Sequence, residues 1–186
     1  MPAHVKGTAF LSMTRFLREN FGEDGVRKIV GRLTPEEQER MGEPILPSAW
    51  LPLSLMVHVM RATHAEFGNK IPDIYRQMGR ASADYSLTTT YSMIFKVTST
   101  QWIVSRSAAI FQTYYDTGKM AVSENAKGYA LLEITDFSEP YPELCERIAG
   151  WCERILEHCG AKWVKVEHSR CRCRGDACCA FKANWS

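Results

Sequence analysis

The stretch Lys162-Trp-Val164-Lys-Val166-Glu-His168-Ser-Arg-Cys171-Arg-Cys173-Arg-Gly175-Asp176-Ala-Cys178-Cys179-Ala-Phe181-Lys-Ala-Asn-Trp185 decides the fold. It reads as two strands, Lys162–His168 and Cys178–Trp185, joined by a turn at Gly175-Asp176, which makes an antiparallel hairpin. Four of the chain's seven cysteines lie in it beside His168. A tight hairpin has little interior in which to hide thiols, so packing explains that density poorly. A metal held by thiolates and an imidazole explains it, because these ligands suit a borderline-soft ion such as zinc.

Phase sorts the candidates. Val164, Val166 and His168 alternate onto one strand face, and Cys179, Phe181 and Trp185 share a face of the next strand, opposite Cys178, Lys182 and Asn184. Just upstream, Tyr141–Cys159 reads as a helix ended by Gly160. Its Cys145, Ile148, Cys152, Ile155 and Cys159 recur at spacings of three and four, one buried stripe. These periodicities bring Cys145, His168 and Cys179 towards one layer, and Cys171 swings in from the turn. A Cys₃His set closes a tetrahedral site with no open position for catalysis. Such sites contribute on the order of 10 kcal/mol of folding free energy in zinc-finger peptides. Cys152 and Cys159 read as buried small hydrophobes. Cys173 and Cys178 are spare thiols or alternative ligands in a different register.

Further upstream, Lys127–Phe137 alternates as a strand, and everything before Gly118 is helical. Val5–Gly22 carries Phe10, Met13, Leu17 and Phe21 on one stripe, and Glu23–Leu33 follows. Thr34-Pro-Glu-Glu opens a third helix with a capping Thr and a Pro at the first position. Pro44 and Pro47 break the chain, and Ser48 opens a helix to Phe67, stopped by Gly68. Asp73–Tyr85, Leu87–Val97 and Thr100–Tyr115 complete the helical part. Helices first, then a small antiparallel sheet with a helix packed on it, give an α+β fold. The expectation is one domain over 1–186, with 1–118 mainly helical and 119–186 forming the strand, helix and metal-bearing hairpin.

Composition is that of an ordinary globular chain: 45% hydrophobic, 24% charged, net charge +2. From Lys162 to Lys182 six Lys/Arg face two acids, which reads as a solvated strand face. A nucleic-acid role through this basic hairpin is the weakest reading and requires binding that falls steeply with salt. The longest apolar run, Ile45–Met60, spans 16 residues and contains two prolines, too short and too interrupted to cross a bilayer. With no apolar leader, a cytoplasmic location is expected, where the seven cysteines stay reduced.

The pattern of a helical cysteine, Gly160, a strand, His168-x-x-Cys171, Gly175 and Cys179-x-Phe181 resembles the 4-vinyl reductase-type small-molecule-binding domain. The fold of that domain is shared with the TRAPP transport subunits and the heme-NO-binding-associated group. In aromatic-sensing regulators of that type zinc is held by Cys, Glu, Cys and Cys. The resemblance thus implies zinc on Cys145, His168, Cys171 and Cys179, with His168 where those sensors carry Glu. The N-terminal two-thirds, including Val5-Lys-Gly-Thr-Ala-Phe, Ser48-Ala-Trp-Leu-Pro and Tyr114-Tyr-Asp-Thr-Gly, resembles an uncharacterised family expanded in myxobacteria.

The middle helices supply adaptable methionines and flat aromatics around a few polar heads, which suits an apolar ligand site and equally an ordinary helical core. His58, Met60, His64, Tyr85, Tyr91, Phe95, Trp102 and Phe111 are the candidate ligand-binding residues. No phosphate-binding glycine loop, G-x-S-x-G elbow, H-E-x-x-H or dinucleotide fingerprint is present, so the chain is read as a non-enzyme. The expected function is a signalling sensor or binding domain for a small apolar or aromatic ligand, stapled by zinc, acting through a partner protein or a homodimer. The alternative is a TRAPP-like protein-interaction adaptor with no free pocket. A third reading is thiol-redox chemistry at Cys171, Cys173, Cys178 and Cys179.

Overall fold

The computed structural model describes residues 2–89 and 99–186. A three-residue strand β1 (His4–Lys6) pairs antiparallel with β2 (Trp50–Pro52), bringing the buried Val5 and Leu51 opposite each other. Helix α1 (Gly7–Val30) runs as two expected segments, because Gly22 leaves the helical region at φ 63° and ψ −177°. Only a residue without Cβ adopts that conformation cheaply. Phe10, Met13 and Leu17 of the α1 stripe are buried, and Phe21 stacks on Phe67 with ring centroids 4.1 Å apart. Each such side chain stabilises the fold by about 1.5–3 kcal/mol.

Helix α2 (Pro35–Gly42) carries the anticipated start, now a reciprocal capping box between Thr34 and Glu37. Helix α3 (Leu53–Phe67) begins five residues later than Ser48, since Trp50–Pro52 is committed to β2. Helix α4 (Ile74–Thr89) and helix α5 (Thr100–Tyr114), the latter capped by Ser99, follow. Of the helix expected over Leu87–Val97, residues 90–97 lie outside the described residues.

A four-stranded antiparallel sheet has the order β3 (Lys119–Ala126), β4 (Tyr129–Thr135), β6 (Cys179–Trp185), β5 (Val164–Arg170). Helix α6 (Pro142–His158) connects β4 to β5. The architecture is α+β, as expected. Strand β3 was not anticipated: apart from half-buried Met120 and Val122 it is exposed along its length, so no apolar alternation marks it. Among the described residues no helix is long and apolar enough to cross a membrane.

Helices α4 and α6 make the closest crossing. A Cβ placed on Gly79 would sit 1.9 Å from the Arg147 carbonyl oxygen, and one on Gly150 would sit 2.2 Å from the Arg76 carbonyl oxygen. Both backbones touch at these two glycines, and this contact positions the side chains described next.

Candidate functional site

Two buried polar centres lie two residues apart on α6. The first gathers Cys145 of α6, His168 of β5, Cys171 at the start of the turn and Cys179 of β6. Their ligand atoms all lie within 4.8 Å of one another. Strand pairing sets His168 directly opposite Phe181, and the two rings stack at 5.0 Å. The Cys145 and Cys179 sulfurs are 3.7 Å apart. Two ligands bound at about 2.3 Å to one tetrahedral centre are separated by about 3.8 Å, so this spacing suits a shared ion.

The His168 Nδ1 lies 3.5 Å from Glu146, and its buried Nε2 has no hydrogen-bond partner among the described residues. A carboxylate on one ring nitrogen leaves the other to act as a ligand. The hydrogen bond with Cys179 and burial drive the Cys145 thiol far up, whereas Cys145 and His168 hold the Cys179 thiol well below its ordinary range. Burial pulls His168 down, but Cys179 and Glu146 outweigh it and lift the imidazole to about 9. The backbone N–H of Cys171 donates to Asp176 at 2.6 Å, which shapes the turn. Cys173 is exposed, and Cys178 lies against Glu133 at 3.6 Å, so neither joins the four.

The second centre lies on the inner side of the α4–α6 crossing. Arg147 is 3% exposed; its Nη2 donates to Ser82 Oγ at 3.0 Å, and Ser82 Oγ in turn lies 3.0 Å from Ser12 Oγ of α1. The Arg147 Nε has no hydrogen-bond partner among the described residues. Arg147 and Ser82 line a half-enclosed cleft together with Phe111, Tyr115, Met120, Ile148, Trp151 and Cys152, with a free space of about 40 Å³. Burial pushes the Tyr115 phenol up, against the opposing influence of the Arg147 guanidinium that it faces. Burial also pushes the Cys152 thiol up to about 12. An arginine buried among neutral groups costs several kcal/mol of desolvation, and no ion-pair partner among the described residues offsets it.

Of the residues singled out for ligand binding, Phe111 lines this cleft. Met60 is fully buried in α3. His58 is exposed and paired with Glu37, and His64 is exposed and stacks on Tyr75. Trp102 is 41% exposed, and Tyr85 borders a shallow groove beside Ser12 and Arg15. Tyr91 and Phe95 lie outside the described residues. Ser82, Tyr115 and Arg147 were missed. A signal for Arg147 was present: it stands three residues after Leu144 and four before Trp151, inside an apolar column of the helix.

No sequence profile of a known protein family matches the chain, and no curated protein matches it in sequence. Solved structures do match in fold. An H-NOX protein from S. oneidensis in the Fe(II)NO state superimposes with a TM-score of 0.76 at 12% identity, covering 97% of this chain and 99% of that one. The unliganded Fe(II) H-NOX protein from K. algicida gives 0.72 at 12% identity, over 97% and 96%. An oxygen-binding H-NOX domain related to soluble guanylate cyclases gives 0.67 at 14% identity, over 97% and 95%.

The fold is therefore that of H-NOX domains, which corrects the resemblance to the 4-vinyl reductase-type domain and to the TRAPP-like fold. The expectation of zinc as the cofactor, drawn from the Cys and His ligand chemistry and reinforced by that resemblance, is corrected as well: solved structures sharing this fold are described by Fe(II) and heme. The Cys-His cluster stands as a geometric fact of this chain.

Proposed function

We propose that the chain is a non-enzymatic sensor domain that takes one small ligand in the cleft between α4, α5, α6 and β3. Occupancy is read by a partner protein or a second copy of the chain. The cleft carries this reading: apolar and aromatic walls around one guanidinium and a hydroxyl are the usual make-up of a small-molecule site. The thiol of Cys152 and the phenol of Tyr115 are both pushed up and stay protonated near neutral pH, which supports binding without covalent chemistry. Cys145, His168, Cys171 and Cys179 are proposed as ligands of one thiophilic metal ion that pins α6 to the β5–β6 hairpin, supported by the orphaned Nε2 of His168.

Haem, which is named for the H-NOX family, does not fit this cleft. The chain has five histidines, His4, His58, His64, His158 and His168, and none lines the cleft. The free space of about 40 Å³ is an order of magnitude below the roughly 300–1,000 Å³ of sites for larger ligands. The cleft as built takes a smaller molecule.

Native mass spectrometry and visible absorption of the protein as purified, followed by thermal denaturation against a panel of small ligands, test the proposal. The expected result is no Soret band and a saturable rise of about 5–10 °C in Tm with a cleft ligand. A Soret band overturns the haem-free reading. An empty protein whose Tm no ligand moves overturns the sensor reading.

A further inference from the structure

We infer that Arg147 is the anchor of a carboxylate site and that the cleft takes a short-chain aliphatic carboxylate. The inference rests on the reading of the cleft as the ligand site. Arg147 is buried to 3% exposure, its Nε has no hydrogen-bond partner among the described residues, and its guanidinium meets two neutral hydroxyls, those of Ser82 and Tyr115. No carboxylate forms an ion pair with it within 4.0 Å among the described residues. None can come from residues 90–98, which contain no Asp or Glu. Among the described residues lining the cleft, Arg147 carries the only formal charge.

Buried charges in proteins are paired. This one is held by neutral groups in a recess with free space beside it, so the missing partner is a ligand. A carboxylate matches the guanidinium fork, accepting charge-assisted bonds from its N–H groups. The Tyr115 hydroxyl meets the same guanidinium, and Tyr115 lines the same cleft. One cation selects a monoanion.

The rest of the lining selects the body of the ligand. Phe111, Met120, Ile148 and Trp151 offer apolar surface and no second cation for a second anionic group. An alkyl chain gains from this contact, whereas chloride or phosphate does not. The free space of about 40 Å³ corresponds to roughly three water molecules at ~10–15 Å³ each, which suits an acetate-sized group, with any longer alkyl chain extending through the open side of the cleft.

Isothermal titration of the full chain with acetate, propionate and butyrate tests the inference, with propionamide and chloride as controls and Arg147→Met and Ser82→Ala as variants. Saturable binding of at least one carboxylate is expected. Binding weaker by at least about tenfold is expected for propionamide and for Arg147→Met, and a smaller loss for Ser82→Ala. In the absence of ligand, Arg147→Met should melt at or above the parent temperature, because it removes an uncompensated buried charge. Should Arg147→Met fail to fold, Ser82→Ala and the amide control still decide. Equal affinity for propionate and propionamide, competition by chloride at equal strength, or full carboxylate binding by a folded Arg147→Met overturns the carboxylate site. A neutral ligand that binds while every carboxylate fails overturns it too, and leaves the sensor reading standing. Failure of both classes removes both readings.

Discussion

Two arginines cross the α4–α6 seam in opposite circumstances. On its outer face, Arg76 of α4 meets Glu146 at 2.7 Å, Glu153 at 2.6 Å and the Val166 carbonyl oxygen at 3.0 Å. Arg80 bridges on to Glu157, and Asp84 to Arg154 and His158, so every charge there has an opposite neighbour. On the inner face Arg147 is more deeply buried and has only neutral company. Stability alone selects the first arrangement, since an unpaired buried charge works against folding. The contrast separates charge that holds the helices together from charge kept for something the fold does not itself supply.

The most damaging way to break this comparison is to open the seam. Gly79→Val places a Cβ against the Arg147 carbonyl, where backbone meets backbone and neither side yields. We expect a loss of about 3 kcal/mol or more in urea unfolding; a change within 1 kcal/mol would show that the contact is not close.

Cys145→Ser acts on the other buried centre of α6. Loss of any bound metal and about 2–3 kcal/mol of destabilisation are expected, read by metal content per chain and chemical denaturation. Unchanged stability would mean that the four groups are no more than packed thiols.

The comparison is sharpened by Arg76→Met, which takes the nearest cation from Glu146 and Glu153 and should cost about 1–2 kcal/mol. The ligand-free Arg147→Met should cost nothing. A reversal of this order, measured in parallel melts, would contradict the assignment of the two faces.

The smallest effect is acid sensitivity of the outer face. For Asp84, burial acts upward but Arg154 and His158 outweigh it. For Glu157 burial is likewise outweighed by Arg80 and Arg154, so both carboxyls sit below their ordinary range in the folded chain. Their contribution is complete above the unfolded values near pH 4 and is lost as pH falls through the lower folded values. Because both groups are largely solvated, screening limits the sum to about 1 kcal/mol. Denaturation midpoints at pH 6 and pH 3 should differ accordingly, and Asp84→Asn should flatten the difference.

Much of the Cys-His centre was legible because helix and strand phases are independent witnesses. The three-and-four spacing of Cys145 with Ile148 and Cys152, and the alternation of His168 with Val166 and of Cys179 with Phe181, each point inward without reference to the others. Strands β1 and β2 were illegible because three residues cannot show alternation, and β3 because its faces are both largely wet. Arg147 was passed over because arginine is rarely buried, although Leu144 and Trp151 flank it on one column. The fold neighbours were out of reach for a different reason: at 12–14% identity what is shared is the order of helices and strands. A spacing of cysteines and glycines points to a local hairpin and is silent about that order.

Strand β6 is hydrogen-bonded to both β4 and β5, and α6 lies across α4 from about 70 positions further along the chain. During synthesis, therefore, the early helices leave the ribosome with their seam uncovered and no sheet to rest on. Assembly waits for residues 179–185, and closing such distant contacts is the slow step of folding. A helper that shields exposed apolar surface should matter most to this chain before its last strand emerges.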